Sequence, residues 1–387
     1  MSHRSRWAFA LVISTVGLAL APSAVQAQAS VFGIRGLGLP GRMLSTRAVG
    51  TGGAFGLFDP ESALNAGAFG YVAGMSVSFT GLQEYRSVSL ETGDASLRGT
   101  RFPLASVLVP FKNFPMVLGM SVAGYANRDF SVVRSDTIDL RGVPVGISDT
   151  VLSEGGITDL RFSAAVRDIG PATIGASLHV LTGRDRITVR RGFEDTTYID
   201  VAQRSELSTT GIGFSVGTVI TITPRFWASA LVRNDGTQDV ERDSVDVSSD
   251  LPLPWTFGGG LRWRPTSKLD IAVQGLYRTW SEADSALLAV NAPGAANTID
   301  LSIGMELVKN TRQPSHLPIR LGVHYVTLPF LVDREHQPGQ FGASIGTGLR
   351  FAQQKAGIDV SVERIWRWGG GRKENVWSIW IGGSVRP

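Results

Sequence analysis

Residues 299–307 read IDLSIGMEL, and this alternation of apolar with polar or small residues decides the fold. A β-strand points successive side chains to opposite faces, so the stretch has one apolar and one polar face. The same rhythm recurs in fourteen stretches along the chain. We predict the strands at residues 71–80, 103–111, 116–126, 157–167, 172–182, 207–221, 225–235, 255–264, 268–279, 298–308, 317–327, 340–350, 357–367 and 375–385.

The connections between these strands alternate between short and long. Short turns rich in Pro, Asn and Asp are expected after the even strands, and longer loops after the odd ones. The expected long loops are 81–102, 127–156, 183–206, 236–254, 280–297 and 328–339. This alternation is typical of antiparallel barrels of the bacterial outer membrane, whose short turns are periplasmic. The prediction is an all-β, 14-stranded antiparallel transmembrane β-barrel, with a soluble all-β protein as the alternative.

The two faces of each strand have predictable surroundings. Lipid cannot solvate charge, and an arginine facing lipid at the bilayer midplane of a barrel costs about 2–4 kcal/mol. The charged positions are therefore expected in the lumen, most of them paired. They are Arg161, Arg167, Arg233, Arg262, Arg278, Asp270, Asp300, Glu306, Arg320, His324, Arg350, Asp359 and Glu363. Tryptophans near strand ends predict an interfacial girdle: Trp255, Trp263, Trp366, Trp368, Trp377 and Trp380.

The N-terminal residues have the pattern of a secretory signal peptide. A basic start precedes an apolar run, and small residues follow, with cleavage expected after Ala27 or Ala29. We therefore assign residues 1–29 to the signal peptide, 30–70 to an N-terminal hatch and 71–387 to the barrel. The chain contains 0 cysteines, which excludes disulfides and thiolate sites. Its formal net charge of +4, without a dense basic run, does not suggest nucleic-acid binding.

Residues 30–70 do not alternate and are too apolar for a disordered tail. A 14-stranded barrel leaves space in its lumen, so we expect this segment to lie there. Its glycine-rich run 47–56, RAVGTGGAFG, resembles the opening of the FadL/OmpP1-type outer-membrane proteins, a superfamily that includes PorV-like members. Asp59 and residues 62–65, SALN, resemble the stretch that follows. This sequence departs from the family's Asn-Pro-Ala element with Asn65-Ala66-Gly67, and it lacks the usual C-terminal aromatic residue.

The resemblance implies a passive diffusion channel for hydrophobic molecules such as long-chain fatty acids. In that family the ligand is captured on the extracellular side and leaves sideways through a wall opening near the third strand, past the hatch. The hatch residues expected from the motif are Gly52, Gly53, Phe55 and Asn65. Candidate ligand contacts are Leu118, Met120 and Val122 on the third strand, Leu287, Leu288, Leu328 and Phe330 in outer loops, and Arg320 or Arg350 for a carboxylate.

Each of these candidates has an ordinary structural alternative. The apolar second and third strands can simply pack against the hatch, and the apolar loop residues can form the core of a lid. Two other functions stay open: a PorV-like scaffold that binds a secreted protein, and a general porin for polar solutes. The partners we expect are a hydrophobic ligand, outer-membrane lipids and, during biogenesis, the barrel-assembly machinery, with the protein a monomer.

The sequence offers little sign of an enzyme. The histidines show no metal-ligand spacing, and neither a nucleophile elbow nor a phosphate loop is present. A pair of His179 with Ser177 or Ser215 from separate strands is the one hydrolytic arrangement that we considered. We expect no enzymatic activity, no cofactor and no metal.

Overall fold

The computed structural model describes residues 30–386, except residues 91–92, 243–244, 291 and 309–316. The predicted signal peptide and His316 lie outside the described residues. None of the helices in this part of the chain is long and apolar enough to cross a membrane.

The described chain consists mainly of antiparallel strands. They are β1 (Leu39–Pro40), β2 (Ser76–Leu90), β3 (Gly93–Pro110), β4 (Met116–Asn127), β5 (Phe130–Leu140), β6 (Val143–Ile169), β7 (Ala172–Phe193), β8 (Val201–Thr223), β9 (Phe226–Asn234), β10 (Thr237–Arg242), β11 (Val245–Pro252), β12 (Trp255–Thr266), β13 (Leu269–Arg278), β14 (Thr298–Leu307), β15 (Ile319–Thr327), β16 (Gly339–Phe351), β17 (Ala356–Gly369) and β18 (Arg372–Val385). The helices are short: α1 (Thr46–Val49), α2 (Asp284–Ala289) and three 3-10 turns at Val31–Gly33, Ala66–Tyr71 and Trp280–Ala283.

Fourteen of these strands close into a barrel. Hydrogen bonding runs from β2 through β3, β4, β6, β7, β8, β9 and β12 to β18, and β18 pairs with β2 from Val385 opposite Val77 to Lys373 opposite Ser89. Because β18 pairs with β2, the barrel has no free first or last strand, as a bilayer requires. The prediction of a 14-stranded antiparallel barrel is confirmed.

Several expected loops are strands instead. β7 and β8 continue as a hairpin to Phe193 and Val201, and β2 and β3 run to Leu90 and Gly93. Beyond the bilayer both faces of a hairpin are wet, so the apolar alternation stops while backbone pairing continues. The hairpins β5–β6 and β10–β11 occupy two further expected loops. The first barrel strand begins at Ser76, since the residues before it form the Ala66–Tyr71 turn.

The two faces of the wall divide as the alternation predicted. On β14, Leu301 is 52% exposed on the outer face whereas Asp300 is 4% exposed on the inner face. The other predicted lumenal charges also face inward. Trp263, Trp366, Trp368 and Trp377 are exposed on the outside. Trp380 is 8% exposed and points into the lumen, so its assignment to the girdle is wrong.

The N-terminal segment, residues 30–75, contacts inward-facing groups on opposite sides of the wall. Arg42 pairs with Glu363 of β17 at 3.0 Å, and the Asn65 amide donates to the Ser229 hydroxyl of β9 at 2.9 Å. The backbone of Thr51 lies directly over Gly304 of β14 and Gly322 of β15, where any Cβ would collide with it. Because glycine has no Cβ, these two inward positions allow the backbone of the segment to lie close to the wall.

Candidate functional site

The backbone pairing between β3 and β4 stops partway along the barrel wall, and we call the unpaired stretch the gap. Their pairing runs from Pro110 opposite Val117 only as far as Leu104 opposite Ala123. Beyond that point β4 has a bulge between Gly124 and Ala126 where it faces β6. A bulge bends its strand and interrupts the ladder locally, and no residue of β3 before Leu104 pairs with β4.

The N-terminal segment takes the place of β3 at this gap. Pro40 and Leu39 of β1 pair with Ala126 and Asn127 of β4, and the Gly41 N–H donates to the Tyr125 carbonyl at 2.7 Å. The backbone groups of β4 are thus satisfied by the segment inside the barrel rather than by the neighbouring strand.

The gap lies at the level of the apolar outer belt. Phe102, just past the last β3–β4 pair, is 68% exposed beside Gly81. Gly81 is in register with Ile381, which is 51% exposed on the outer face of β18. A molecule that left the lumen here would meet acyl chains rather than water.

A cavity of about 410 Å³ reaches this gap from inside, and we call it the upper cavity. Its lining includes Phe102, Pro103 and Ala126 at the gap, Leu39 of the N-terminal segment and Leu328 of an outer loop. Its size lies within the range of small-molecule sites, about 300–1,000 Å³. A smaller cavity of about 40 Å³ adjoins it, and both are lined by Arg278 and Trp280.

Outer loops cover the barrel mouth above this cavity. Phe330 is 4% exposed and its ring meets the Trp280 indole edge-on at 5.2 Å. Leu328 packs against Phe32 and Leu39 of the N-terminal segment, and Leu287 is also buried. Of the predicted loop contacts, Leu328 lines the upper cavity and Phe330 the smaller one. Leu287 belongs to the lid core and Leu288 is 41% exposed, so neither is placed at a cavity described here.

β4, the third strand of the barrel, turns toward the lumen the face opposite to the predicted one. Leu118, Met120 and Val122 are 41%, 47% and 40% exposed on the outer surface. Val117, Ser121, Ala123 and Tyr125 face inward in their place. The placement of Leu118, Met120 and Val122 on a lumenal tunnel is therefore corrected. Both faces of this strand are apolar, so the alternation of polarity carried no information about which face looks in.

Arg320 and Arg350 lie in the lumen but are already paired. Arg320 donates to Glu306 and Asp359, both at 2.7 Å, and Arg350 lies 2.8 Å from Asp359. Arg47 of the N-terminal segment joins the same group through Glu306 at 3.1 Å. We call these five residues the lower charge network, since they lie near the short-turn rim. Their positive charges are engaged, so neither Arg320 nor Arg350 has a guanidinium left to bind a carboxylate ligand.

The motif residues fix the backbone conformation and the wall contacts of the N-terminal segment. Gly52 and Gly53 adopt φ of 68° and 99°, a backbone region that favours glycine. Phe55 packs beneath Arg262, whose guanidinium lies 5.4 Å from the ring centroid. Asn65 is fully buried and donates to the carbonyls of Leu57 and Thr218 as well as to the Ser229 hydroxyl described above.

His179 connects two neighbouring strands through its ring nitrogens. Nδ1 lies 3.0 Å from the Asp159 carboxylate, and Nε2 lies 2.9 Å from the Ser215 hydroxyl. The carboxylate only accepts, so Nδ1 carries the proton and Nε2 accepts from Ser215. The three residues are at most 2% exposed, and none lines the cavities described here. The hydrogen bonds resemble those of a hydrolytic triad. Because all three residues are buried in the wall, the arrangement serves to link neighbouring strands.

In the described residues no group of three His, Asp or Glu side chains could hold a metal ion. A shallow groove of about 730 Å³ runs along Gly259 and Gly275, but the apolar side chains around it, such as Leu301 and Tyr325, belong to the outer belt. Its exposed apolar side chains place this groove on the lipid-facing surface of the barrel.

Comparison with solved structures finds the same architecture. A Pseudomonas aeruginosa FadL homologue matches with a TM-score of 0.61 and 14% identity, over 90% of this chain and 99% of that one. The Ralstonia pickettii toluene transporter TbuX gives 0.56 and 12% over 92% and 100%, and the P. putida toluene transporter TodX gives 0.57 and 10% over 89% and 99%. No family model and no curated protein sequence matches the chain.

Two of these neighbours are described as toluene transporters. A closed 14-stranded barrel with an apolar outer belt is the architecture of a bacterial outer-membrane protein. The chain thus has the fold of the FadL-type outer-membrane proteins, the superfamily that its glycine-rich N-terminal run resembles.

Proposed function

We propose that this protein is a passive outer-membrane transporter for hydrophobic small molecules such as long-chain fatty acids. The ligand enters the upper cavity beneath the outer loops and leaves through the gap between β3 and β4. Residues 30–75 act as a hatch that closes the axial path. No energy source is needed, because an apolar molecule moves from the cavity into the acyl-chain region down its own transfer free energy.

One observation carries this proposal: the upper cavity joins the wall gap at the height of the apolar belt. Phe102 and Ala126 line that cavity, and Phe102 is exposed on the outer surface. The neighbours of this fold support the same class of cargo, since two are described as toluene transporters and a third as a monoaromatic hydrocarbon channel.

The packing of the N-terminal segment disfavours a general porin. Val49, Ala54 and Leu57 of this segment are fully buried, so the lumen around them is filled rather than open to water. No contact in the described chain specifically favours a PorV-like scaffold. We expect a monomer in contact with outer-membrane lipids, folded by the barrel-assembly machinery.

The test is to obstruct the gap without disturbing the rest of the wall. Ala126→Trp places a bulky ring where Ala126 lines the cavity and the gap. Ala164→Trp adds the same bulk on the outward face of β6, away from the gap. We expect uptake of radiolabelled oleate by cells that express Ala126→Trp to fall to the level of cells without the protein, while Ala164→Trp transports normally.

Both variants are first checked for a folded barrel by their heat-dependent migration in gel electrophoresis. Normal uptake by a folded Ala126→Trp protein would refute the lateral route. Mass spectrometry of lipids that copurify with the wild-type protein, against a mock purification, reports independently whether the lumen binds an apolar molecule.

A further inference from the structure

Two arginines on the outer face of the barrel are stacked on aromatic rings and have no carboxylate partner. The Arg364 guanidinium of β17 lies 5.6 Å from the ring centroid of Trp366 and 4.8 Å from that of Trp377. The Arg98 guanidinium of β3 lies 5.4 Å from the ring centroid of Tyr85. In the part of the chain that the structure describes, neither arginine makes an ion pair or a hydrogen bond. The rings cover the faces of the two guanidinium groups, so the N–H donors at their edges are free.

The strand register places these side chains in one row. Arg364 lies opposite Trp377 of β18, Trp377 lies opposite Tyr85 of β2, and Tyr85 lies opposite Arg98. We call these four residues the arginine–aromatic row. Neighbouring strands are about 4.8 Å apart, so the Cα atoms of the two arginines are separated by roughly 14 Å. Two long side chains at this spacing can reach a single head group from both ends of the row.

The row lies at the upper edge of the apolar belt. On the outer face of β18, Ile379 and Ile381 are 38% and 51% exposed on one side of Trp377, whereas Asn375 and Lys373 follow on the other side. The polar side leads to the rim opposite the short turns, and the short turns of such barrels are periplasmic. The row is therefore at the level where the head groups of the outer leaflet meet their acyl chains.

The protein does not neutralise the two cations at this level. None of the outward-facing side chains described on β17, β18 and β2 is a carboxylate. The glutamates of these strands, Glu363, Glu374 and Glu84, are at most 5% exposed and pair with lumenal arginines. An anionic group at the membrane surface would supply the missing charge, and a phosphate fits a guanidinium by two parallel hydrogen bonds.

A place for an acyl chain adjoins the row. The lipid-facing groove of about 730 Å³ along Gly259 and Gly275 extends to Phe341 of β16. The Phe341 ring stacks on that of Trp366, with 5.9 Å between their centroids, and Trp366 in turn contacts Arg364. A lipid whose head is held by Arg364 can therefore lay a chain along this groove.

We propose that the arginine–aromatic row is a binding site for the phosphate-bearing head of a glycolipid in the outer leaflet. Arg364 and Arg98 donate to phosphate oxygens, Trp377 and Tyr85 lie beneath the head group, and an acyl chain occupies the groove. The site is on the outside of the wall, so it is independent of the transport proposal.

The experiment compares a phosphorylated lipid with its phosphate-free form. Purified full-length protein in a non-ionic detergent is incubated with lipid A, a diphosphorylated glycolipid, or with lipid A from which the phosphates have been removed. Native mass spectrometry then counts the lipid molecules bound to each barrel. We expect one tightly bound lipid A, and we expect Arg364→Gln or Arg98→Gln to weaken it by roughly ten- to a hundredfold, as the loss of a charged hydrogen bond does.

Two further variants separate this site from general attraction between charges. Arg184→Gln also removes an exposed outward-facing arginine, but Arg184 lies 3.7 Å from Glu206 on the β7–β8 hairpin, away from the row. It should bind lipid A as the wild type does. Trp377→Leu keeps an apolar side chain but removes the ring beneath Arg364, and it should weaken binding less than Arg364→Gln. Each variant must show the heat-dependent migration of the folded wild type.

Three results would overturn the proposal. The first is equal binding of lipid A and its phosphate-free form, and the second is an equal loss of affinity in Arg184→Gln and Arg364→Gln. The third is displacement of lipid A by an excess of inorganic phosphate, which would make the row a site for free anions rather than for a lipid. Oleate uptake by cells that express Arg364→Gln should equal that of the wild type, so failure of the lipid site leaves the transport proposal standing.

Discussion

The lower charge network and the upper cavity each contain a lumenal arginine, and the two arginines differ in whether they are paired with carboxylates. Arg320 is 2% exposed and bonded to two carboxylates, whereas Arg278 lines a cavity with no described partner. From the sequence both are single arginines on an inward-facing position. Their difference shows that the charge of a lumenal side chain says little about its role until its cross-strand neighbours are known.

The largest expected effect is at the lower charge network. Arg320→Met removes the cation between Glu306 and Asp359, and breaking a buried pair costs about 3–5 kcal/mol. We expect the lower end, about 3 kcal/mol, since Arg47 and Arg350 still neutralise one carboxylate each. Denaturant unfolding in lipid vesicles measures this loss.

Arg278→Met is the matched control for that measurement. No described ion pair is lost, so its unfolding free energy should stay within about 0.5 kcal/mol of the wild type. Similar losses in the two variants would remove the distinction between a paired and an unpaired lumenal arginine.

An intermediate effect is expected where the N-terminal segment touches the wall. Gly322→Ala places a Cβ against the backbone of Thr51 and Gly52. Overpacking of this kind costs typically about 1–3 kcal/mol, and here the segment rather than the barrel must give way. We expect faster proteolysis within residues 30–75 and a higher ion conductance in planar bilayers.

Gly259→Ala provides the comparison for Gly322→Ala. Gly259 is on the outer face, and nothing lies within 4 Å of an added Cβ. This variant should match the wild type in proteolysis and conductance. If Gly322→Ala also behaves as the wild type, the segment is not held by its contact with β15.

The smallest effect on stability is expected at the short-turn rim of the barrel. Arg386 lies 3.3 Å from Glu61 of the N-terminal segment, and its side chain is 49% exposed. Exposed pairs contribute about 0–1 kcal/mol and are screened by salt. Arg386→Ala should therefore lower stability only slightly, and less at high salt. A loss as large as that of Arg320→Met would mean that this contact, rather than the lower charge network, fixes the segment.

The sequence predicts the orientation of a strand correctly where its two faces differ in polarity. Residues 299–307 alternate strictly, and the structure places Leu301 outside and Asp300 inside. Leu118 and Met120 were assigned to the lumen wrongly because their strand is apolar on both faces, so polarity could not choose between them. The hairpins beyond the bilayer were taken for loops because both of their faces meet water.

The sequence predicted only part of the candidate site. Arg278 was predicted to face the lumen, and Leu328 and Phe330 were predicted at the outer rim, where they form the lid. Arg320 and Arg350 were predicted as carboxylate contacts, and no sequence signal showed that both pair with carboxylates of the wall. The pairing of Arg320 with Glu306 and Asp359 depends on the register of three different strands.

The sequence by itself determined a closed barrel of fourteen strands, the charges inside it and the apolar belt around it, because side-chain alternation is a local property of a strand in lipid. Only the tertiary structure decided where β3 and β4 stop pairing and which charges stay unpaired. Both depend on residues far apart in the chain: Leu39 and Pro40 replace β3 beside β4, and Arg278 meets Thr298 rather than a carboxylate across its strand pair.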